Sequence, residues 1–356
     1  MPNSQVRVML VDDSPLVLTI LRRILGRSPE VKIVGTAAHG REALQRMPEL
    51  DPQVVCTDLQ MPIMDGLQLT QEIMATDPRP ILVVSSVVGE ENPENVFDLL
   101  QAGALDVFPK PHSGNEADYD VIADQLVRKI RILSGVHVIR KRPRKVFHGA
   151  SPGADRPPVR TAAADGDIRM IVIGASTGGP QAFHAVLSAL PADFPIPIVG
   201  IQHIGAGFLG GFVKWLVSGC RLSVKVAERH ETLQAGTVYF APEGQHLVFD
   251  TNGRIEFDDE ADFEGHRPSV TVTMRSAARQ FSTAAFGVLL TGMGRDGADG
   301  LQEIARAGGS TLVQDQQSCV VFGMPKRAIE LGAAQHVLPL EKISLKLKQL
   351  CAGQFR

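Results

Sequence analysis

The sequence predicts an α/β protein made of two doubly wound parallel-sheet domains that are joined by a basic linker. In each half of the 356-residue chain, short apolar runs alternate with amphipathic stretches. This alternation is typical of βα units, which form a parallel sheet covered by helices on both faces. The chain is also longer than a single hydrophobic core usually grows, so two domains are expected.

The first predicted domain covers residues 1–135 and consists of five successive βα units. The β-branched and apolar runs predict five strands: Val6–Val11, Val31–Gly35, Val54–Thr57, Ile81–Ser85 and Asp106–Phe108. The amphipathic stretches predict helices at Pro15–Leu25, Arg41–Met47, Leu67–Ala75, Asn92–Gln101 and Asp118–Leu133. A flavodoxin-like strand order, 2-1-3-4-5, would place the first and third strands side by side.

A change of composition marks the predicted linker at residues 136–167. Between positions 140 and 160 the chain holds seven arginines or lysines against one aspartate, together with four prolines. Because proline disfavours regular elements, we expect an extended segment whose basic charge is solvated.

The second predicted domain covers residues 168–352, where strands and helices alternate again in a Rossmann-like manner. The predicted strands are Arg169–Ile173, Ile196–Gln202, Ser223–Val226, Phe286–Leu290 and Thr311–Val313. Two other runs, Val238–Ala241 and Leu247–Asp250, are followed by a Thr-Asn-Gly turn and the run Arg254–Phe257. We interpret this region as an antiparallel β-hairpin insertion.

The overall composition disfavours several classes of protein. The formal net charge is −3, so the chain as a whole shows no sign of a nucleic-acid partner. Its four cysteines are widely separated, which disfavours disulfides and structural zinc and fits a reducing cytoplasm. The sequence shows neither a signal peptide nor a run of about 18 apolar residues. We therefore expect a cytoplasmic protein without membrane insertion. We also expect a monomer.

Carboxylates follow two strands of the first domain. Asp12 and Asp13 come after the first strand, and Asp58 comes after the third. If these strands are neighbours, the three carboxylates meet at the edge where open α/β sheets bind ligands. Close carboxylates repel one another unless a hard cation such as Mg²⁺ lies among them. With that cation present, one carboxylate could accept a phosphoryl group.

Two more polar residues end strands at the same edge. Lys110 follows the fifth strand and could supply positive charge, and Ser85 ends the fourth and could offer its hydroxyl to a phosphate. Ordinary interpretations exist as well: Asp13 or the following serine could cap a helix, and Asp58 and Lys110 could be solvated loop charges. The joint position of these residues at four strand ends favours the functional interpretation.

The first strand of the second domain runs into a glycine-rich turn. Gly174, Ser176 and Gly178 satisfy G-x-S-x-G, a pattern that can expose a serine hydroxyl at a helix N-terminus. A plain turn or a phosphate cradle has the same pattern, and a serine nucleophile also needs a base. His203 follows the next strand, and Asp296 follows a third strand and could orient the imidazole.

A dinucleotide site competes with this interpretation. Gly292, Gly294 and Gly297 form G-x-G-x-x-G between a strand and a helix, with Asp315 about 20 residues further on. Against that hypothesis, Asp296 would place negative charge where a pyrophosphate approaches. The P-loop pattern G-x-x-x-x-G-K-[ST] does not occur in the sequence.

The first third of the chain resembles response-regulator receiver domains. The resemblance is carried by V-D-D-S-P, T-D-L-Q-M-P-I-M-D-G, V-V-S-S and F-P-K-P, in that order and spacing. It implies that Asp58 is the phosphoacceptor and that Asp12 and Asp13 bind Mg²⁺ with it. It also implies that Ser85 and Lys110 sense the phosphate. Three residues before the lysine, where an aromatic switch residue is usual, this chain has a valine.

A second resemblance is to the catalytic domain of chemotaxis protein-glutamate methylesterases. It is carried by G-A-S-T-G-G-P, I-Q-H, Y-F-A-P-E-G-Q-H-L, R-P-S-V and L-L-T-G-M-G-R-D-G. It implies Ser176 as nucleophile, His203 as general base and acid, and Asp296 as its partner. We hypothesise that backbone N–H groups near Thr177 and Met293 form the oxyanion hole.

Together the resemblances imply hydrolysis of glutamyl γ-methyl esters on methyl-accepting chemoreceptors, activated when a chemotaxis histidine kinase phosphorylates Asp58. The ester chemistry would need no cofactor, and the same chemistry could deamidate glutamine. His246 and Arg267 could line the substrate or be structural. The alternative function is a phosphorylation-dependent interaction protein with a vestigial hydrolase domain.

Overall fold

The structure is a computed structural model that describes residues 5–86, 94–111, 116–138 and 168–351. Apart from its first three residues, the predicted linker lies outside these ranges, as does the start of the fourth predicted helix. Among the described helices, none combines the length and the apolar character that crossing a membrane requires.

The first sheet has five parallel strands in the order β2-β1-β3-β4-β5, which confirms the predicted order. The strands are β1 (Val6–Val11), β2 (Val31–Ala37), β3 (Val54–Thr57), β4 (Ile81–Ser85) and β5 (Asp106–Pro109). The helices are α1 (Pro15–Gly26), α2 (Gly40–Leu50), α3 (Gly66–Thr76), α4 (Glu94–Ala102) and α5 (Glu116–Ser134).

The central strands β1 and β3 carry the acidic residues. Every residue of β3 is buried, and so is all of β1 except Arg7. Continuous apolar runs of this kind are typical of strands that helices cover on both faces. Beyond β1, the Ser14 side chain accepts a hydrogen bond from Val17 N and caps α1, whose first turn contains Pro15. The carboxylates therefore occupy the short loops between strand ends and helix starts.

The second sheet has seven parallel strands in the order β14-β13-β12-β6-β7-β9-β8. The strands are β6 (Met170–Ala175), β7 (Ile198–Gln202), β8 (Ser223–Val226), β9 (Thr237–Phe240), β12 (Ala285–Leu289), β13 (Ser310–Gln314) and β14 (His336–Leu338). The helices are α6 (Gly179–Leu187), α7 (Leu209–Gly219), α8 (Val270–Phe281), α9 (Ala298–Arg306), α10 (Met324–Glu330) and α11 (Leu340–Leu350).

The hairpin prediction is half right. The strands β10 (His246–Phe249) and β11 (Ile255–Asp258) pair antiparallel and confirm it. The run Val238–Ala241 was wrongly assigned to the same hairpin, since β9 lies in the large sheet, parallel to both β7 and β8. Its side chains are buried on both faces from Val238 to Phe240, a pattern that suits a parallel strand covered by helices.

The two halves of the chain pack against each other through helices α4 and α7. The Phe97 ring of α4 lies against Trp215 and Phe212 of α7, with centroids 5.5 and 5.7 Å apart. Next to them, the Gln181 side-chain amide of α6 donates to the Ala104 carbonyl at 2.8 Å. Buried aromatic contacts of this kind hold the two sheets together across their helical layers.

A second contact joins two loops at strand ends. A Cβ added at Gly205 would lie 2.9 Å from Cδ of Pro109, so the backbone of one loop touches the side chain of the other. Pro109 ends β5 immediately before Lys110, and Gly205 comes two residues after His203. The contact therefore connects neighbours of both predicted sites.

Candidate active site

The glycine-rich turn that carries Ser176 connects β6 with α6. Ser176 directly follows β6 and is partly exposed, and Gly178 has φ +76°, in the left-handed region that favours glycine. A Cβ at Gly178 would also lie 2.6 Å from Cβ of Val320, so a side chain would not fit. The turn therefore places the serine at the start of a helix, where backbone N–H groups favour negative charge.

The strands β6 and β7 hold the serine and the histidine at one level of the sheet. Ala175 and Gln202 are partners in the register, so Ser176 and His203 each follow a paired residue. The Gln202 side-chain amide donates to the carbonyls of Ser176 at 2.8 Å and His203 at 2.9 Å. Gln202, which the sequence did not single out beyond the I-Q-H motif, thereby ties the two loops together.

The carboxylate of Asp296 is buried and densely hydrogen-bonded. Its Oδ2 lies 2.9 Å from His203 Nε2 and also accepts from Val270 N at 2.8 Å. Its Oδ1 accepts from the Ser269 hydroxyl at 2.8 Å and from Thr271 N at 2.9 Å. Burial alone would raise the pKa of Asp296, but hydrogen bonds from His203 and Thr271 hold it well below the ordinary aspartate range. Asp296 is therefore a permanent anion beside the imidazole.

The imidazole of His203 keeps one nitrogen available. Its side chain is only 8% exposed, and Nε2 is taken by Asp296. Nδ1 is buried and has no hydrogen-bond partner among the described residues. Since buried polar atoms are normally paired, this unpaired ring nitrogen is suited to proton transfer.

The β12–α9 loop completes the surroundings of the serine. Ser176 N donates to the Thr291 carbonyl at 3.1 Å. A Cβ on Gly292 would lie 3.0 Å from Ser176 Cβ and 2.2 Å from Met324 Sδ. Within the described ranges, the N–H groups of Thr177 and Met293 donate to no protein acceptor, which is compatible with the hypothesis that they form an oxyanion hole.

We expect Gly292→Ala to reduce activity at least about tenfold, because small displacements of a nucleophile are costly. The added methyl group would press on Ser176 and Met324. Steady-state turnover of a methyl-ester substrate measures the effect.

The matched control is Gly210→Ala, since a Cβ there meets nothing within 4 Å and the residue lies in α7. This control should keep wild-type turnover. Equal turnover in Gly292→Ala and wild type would contradict the close approach to Ser176.

His246 and Arg267, which the sequence left open, both have structural contacts. His246 is buried, its Nδ1 accepts from Ser269 N at 3.1 Å, and its Nε2 lies 3.3 Å from the Ala261 carbonyl. Arg267 is exposed and pairs with Asp262 at 3.3 Å. The sequence did not predict the hydrogen bond from the Ser269 hydroxyl to Asp296, although Ser269 belongs to the R-P-S-V motif.

The glycine pattern Gly292–Gly297 lies in a loop that the protein itself fills. The Asp296 carboxylate points to His203 and the start of α8, and Gly297 N donates to the Thr271 hydroxyl at 2.6 Å. A pyrophosphate would have to displace these contacts and face a buried anion. The geometry therefore favours the hydrolase interpretation of this loop over the dinucleotide interpretation.

The acidic residues of the first domain converge as predicted. Ligand atoms of Asp12, Asp13 and Asp58 all lie within 4.8 Å of one another. Lys110 Nζ lies 2.8 Å from both Asp12 Oδ2 and Asp58 Oδ2. Burial by itself lowers the pKa of Lys110, but hydrogen bonds to the two carboxylates raise it above its ordinary value. Three oxygen donors in a largely buried pocket fit a hard cation such as Mg²⁺.

Ser85 lies at the same edge, at the end of β4. It is buried, it pairs with Pro109 in the register, and its carbonyl accepts from Lys110 N at 2.8 Å. Its hydroxyl lies 3.4 Å from the Ser86 carbonyl. The structure thus brings Ser85 beside Lys110 through the backbone.

These two sites define a two-domain signalling protein with a receiver-type domain and a hydrolase-type domain. The family model "Response regulator receiver domain" matches residues 8–118, and the family model "CheB methylesterase" matches residues 171–347. The chain belongs to the CheB methylesterase family, whose curated members carry the name protein-glutamate methylesterase/protein-glutamine glutaminase.

Similar proteins extend along almost the whole chain. A relative from Nitrosospira multiformis is 40% identical over 98% of this chain and 97% of its own length. A relative from Anaeromyxobacter dehalogenans is 42% identical over 97% of both chains. The crystal structure of the Thermotoga maritima CheB methylesterase catalytic domain matches with a TM-score of 0.50 and 41% identity, and covers 51% of this chain and 98% of that chain. The similarity to these relatives therefore extends over both halves of this chain.

Proposed function

We propose that this protein hydrolyses glutamyl γ-methyl esters on methyl-accepting chemoreceptors and releases methanol. The observation that carries the proposal is the buried His203–Asp296 pair at 2.9 Å, on a strand end adjacent to the Ser176 turn. The names of relatives that are about 40% identical over nearly the full chain support the same substrate class.

In this proposal Ser176 is the nucleophile and His203 the general base. The serine oxygen attacks the ester carbonyl carbon while its proton passes to Nδ1 of His203, and Asp296 stabilises the resulting imidazolium. The N–H groups of Thr177 and Met293 stabilise the oxyanion of the tetrahedral intermediate. His203 then protonates the departing methoxide, which leaves as methanol.

The acyl-enzyme is hydrolysed by the same groups. His203 removes a proton from water, hydroxide adds to the acyl carbon, and the proton returns to the Ser176 oxygen as glutamate is released. A glutamine side chain would follow the same path with ammonia as the leaving group, so deamidation is a second expected reaction.

The receiver domain controls this chemistry through Asp58. Asp12, Asp13 and Asp58 would hold Mg²⁺, and that cation would neutralise charge during phosphoryl transfer from a chemotaxis histidine kinase. Lys110 and Ser85 would then contact the phosphoryl group. In the described conformation Lys110 binds the Asp58 carboxylate, so a contact with the phosphoryl group would change the set of partners of Lys110.

The loop contact between Pro109 and Gly205 offers a route from this change to the active site. Pro109 precedes Lys110 in the chain and touches the loop after His203, so a change in the backbone at Lys110 would be passed to that loop. We expect phosphorylation to favour an arrangement in which the receiver domain obstructs the Ser176 cleft less. The protein is expected to work in the cytoplasm as a monomer, without nucleic acid as a partner.

The test of the proposal is methanol release from methylated receptor by the full-length protein under phosphorylating conditions. The expected result is turnover that depends on both the receptor methyl groups and the phosphodonor. Absence of methanol in that assay would refute the esterase proposal and favour the interaction protein with a vestigial hydrolase domain.

We expect Asp58→Asn to remove the stimulation of methanol release by a small-molecule phosphodonor with Mg²⁺. An amide cannot form the acyl phosphate, while basal turnover depends on the other domain and should persist. The measurement compares the initial rate with and without the phosphodonor.

The control is Glu49→Gln, which neutralises an exposed carboxylate of the same domain. It should keep the full stimulation. Stimulation that survives in Asp58→Asn would show that another residue receives the phosphoryl group.

A further inference from the structure

The ring of His266 lies flat on the ring of His203. The centroids are 3.8 Å apart and the planes differ by 9°, so the two rings are in a close parallel stack. His266 comes from the loop between β11 and α8, whereas His203 follows β7. Two imidazoles from separate elements therefore share one face within van der Waals distance.

The loop that carries His266 is fixed at several points. Phe263 and His266 exchange two backbone hydrogen bonds of 3.1 and 3.2 Å, and the Arg275 guanidinium lies 5.1 Å from the Phe263 ring centre. Glu264 pairs with Arg295 at 2.9 Å, which links this loop to the β12–α9 loop. These contacts fix the position of the loop segment that carries the His266 ring.

The same segment supplies hydrogen-bond donors to the Asp296 carboxylate. Three residues after His266, the Ser269 hydroxyl donates to Asp296, and the backbone N–H groups of Val270 and Thr271 do so as well. One loop thus fixes the carboxylate on one side of the histidine and a flat ring against its face. A single hydrogen bond from Nε2 does not by itself fix the plane of the His203 ring, whereas a ring stacked on its face opposes rotation out of that plane.

The charge of His266 suits this position. Burial, together with the neighbouring His203, lowers the pKa of His266 to about 4. Asp296 and Asp262 act in the opposite direction, and Arg128 of α5 lowers this pKa slightly further. The His266 ring is therefore neutral at neutral pH, so that a proton on His203 meets a neutral aromatic face and no second cation.

We infer that His266 is a positioning residue whose neutral ring fixes the plane of His203, so that Nε2 stays on Asp296 while Nδ1 exchanges the proton with Ser176. This inference rests on the proposed esterase function. This role requires a particular kind of side chain at position 266. A flat uncharged ring could fix the plane of His203, whereas a small or charged side chain could not.

The experiment measures methanol release by full-length wild type and by His266→Ala, His266→Phe and His266→Lys, on methylated receptor with the phosphodonor. His266→Ala should lower kcat by about 10² and leave KM within about threefold, since a mispositioned base affects the chemical step. His266→Phe should restore most of kcat. His266→Lys should move the acid limb of kcat/KM about one pH unit lower, because a nearby cation disfavours imidazolium.

The control for the variants is His137→Ala, an exposed histidine after α5 that should behave as wild type. Thermal unfolding of each variant identifies a loss of fold, and His266→Phe keeps the test valid if the alanine variant is unstable. Wild-type kcat in His266→Ala, or equal loss in the alanine and phenylalanine variants, would overturn the inference. Absence of methanol release by wild type would instead overturn the esterase proposal on which it rests.

Discussion

Replacing Ser176 with alanine should lower methanol release by a factor on the order of 10⁴ or more, since removal of a serine nucleophile leaves only binding and oxyanion stabilisation. The fold should remain, because the backbone contacts of the turn do not involve the hydroxyl. Ser176 N donates to Thr291 O, and its carbonyl accepts from Gly179 N and Gln202 Nε2. The assay is a single-turnover measurement with methylated receptor.

The matched control is Ser188→Ala, which removes a hydroxyl at the C-terminal end of α6 and should keep wild-type turnover. A fluorophosphonate probe adds an independent readout, because it should label wild type and fail to label Ser176→Ala. Residual turnover of Ser176→Ala within tenfold of wild type would mean that another group attacks the ester.

Replacing Asp296 with asparagine should lower kcat by about 10³ to 10⁴, because the amide cannot stabilise the His203 imidazolium or fix its tautomer. The structure adds a second effect. Each carboxylate oxygen of Asp296 accepts from two donors, so either orientation of the amide would direct its NH₂ group at two donors. Such a mismatch should also reduce the free energy of unfolding by about 1–3 kcal/mol.

The pH dependence of stability has a definite sign. The pKa of Asp296 is lowered by folding, so its ionised form stabilises the native state above the ordinary aspartate pKa, and this contribution is lost as the pH falls. Unfolding measured from neutral to acid pH should show this loss in wild type and a smaller loss in Asp296→Asn.

The matched control is Asp299→Asn, three residues further on, where the carboxylate pairs with exposed Arg295. It should change kcat little. Wild-type turnover in Asp296→Asn, or an equal effect of both substitutions, would contradict the role proposed for Asp296.

Much of both sites could be predicted from where polar residues follow apolar runs. Asp12, Asp58, Ser176 and His203 come directly after a strand, and Asp296 lies in the loop that follows one. Parallel strands bring such positions to one edge of a sheet. That rule needs only the strand boundaries and the strand order. The first sheet confirmed the order in full.

Other features depend on packing that no local pattern encodes. The run Val238–Ala241 has a hairpin partner nearby in the chain, yet its buried side chains fit between β7 and β8 in the large sheet. The stack of His266 on His203 joins two loops far apart in sequence, and only the folded loop between β11 and α8 brings them together. The side chain of Gln202 was likewise not predictable, because its partners are backbone carbonyls of adjacent turns.

The hydrogen bonds of Asp296 give natural selection a structural reason to retain this residue, in addition to the proposed catalytic reason. Its carboxylate anchors the start of α8, so a descendant that lost all enzymatic use would still be selected to keep that aspartate for the sake of its fold. The Ser176 hydroxyl forms no hydrogen bond within the described part of the chain. Among descendants of such proteins, substitution of the serine therefore indicates that the enzymatic activity has been lost. Retention of the aspartate, by contrast, does not show that the activity has been kept.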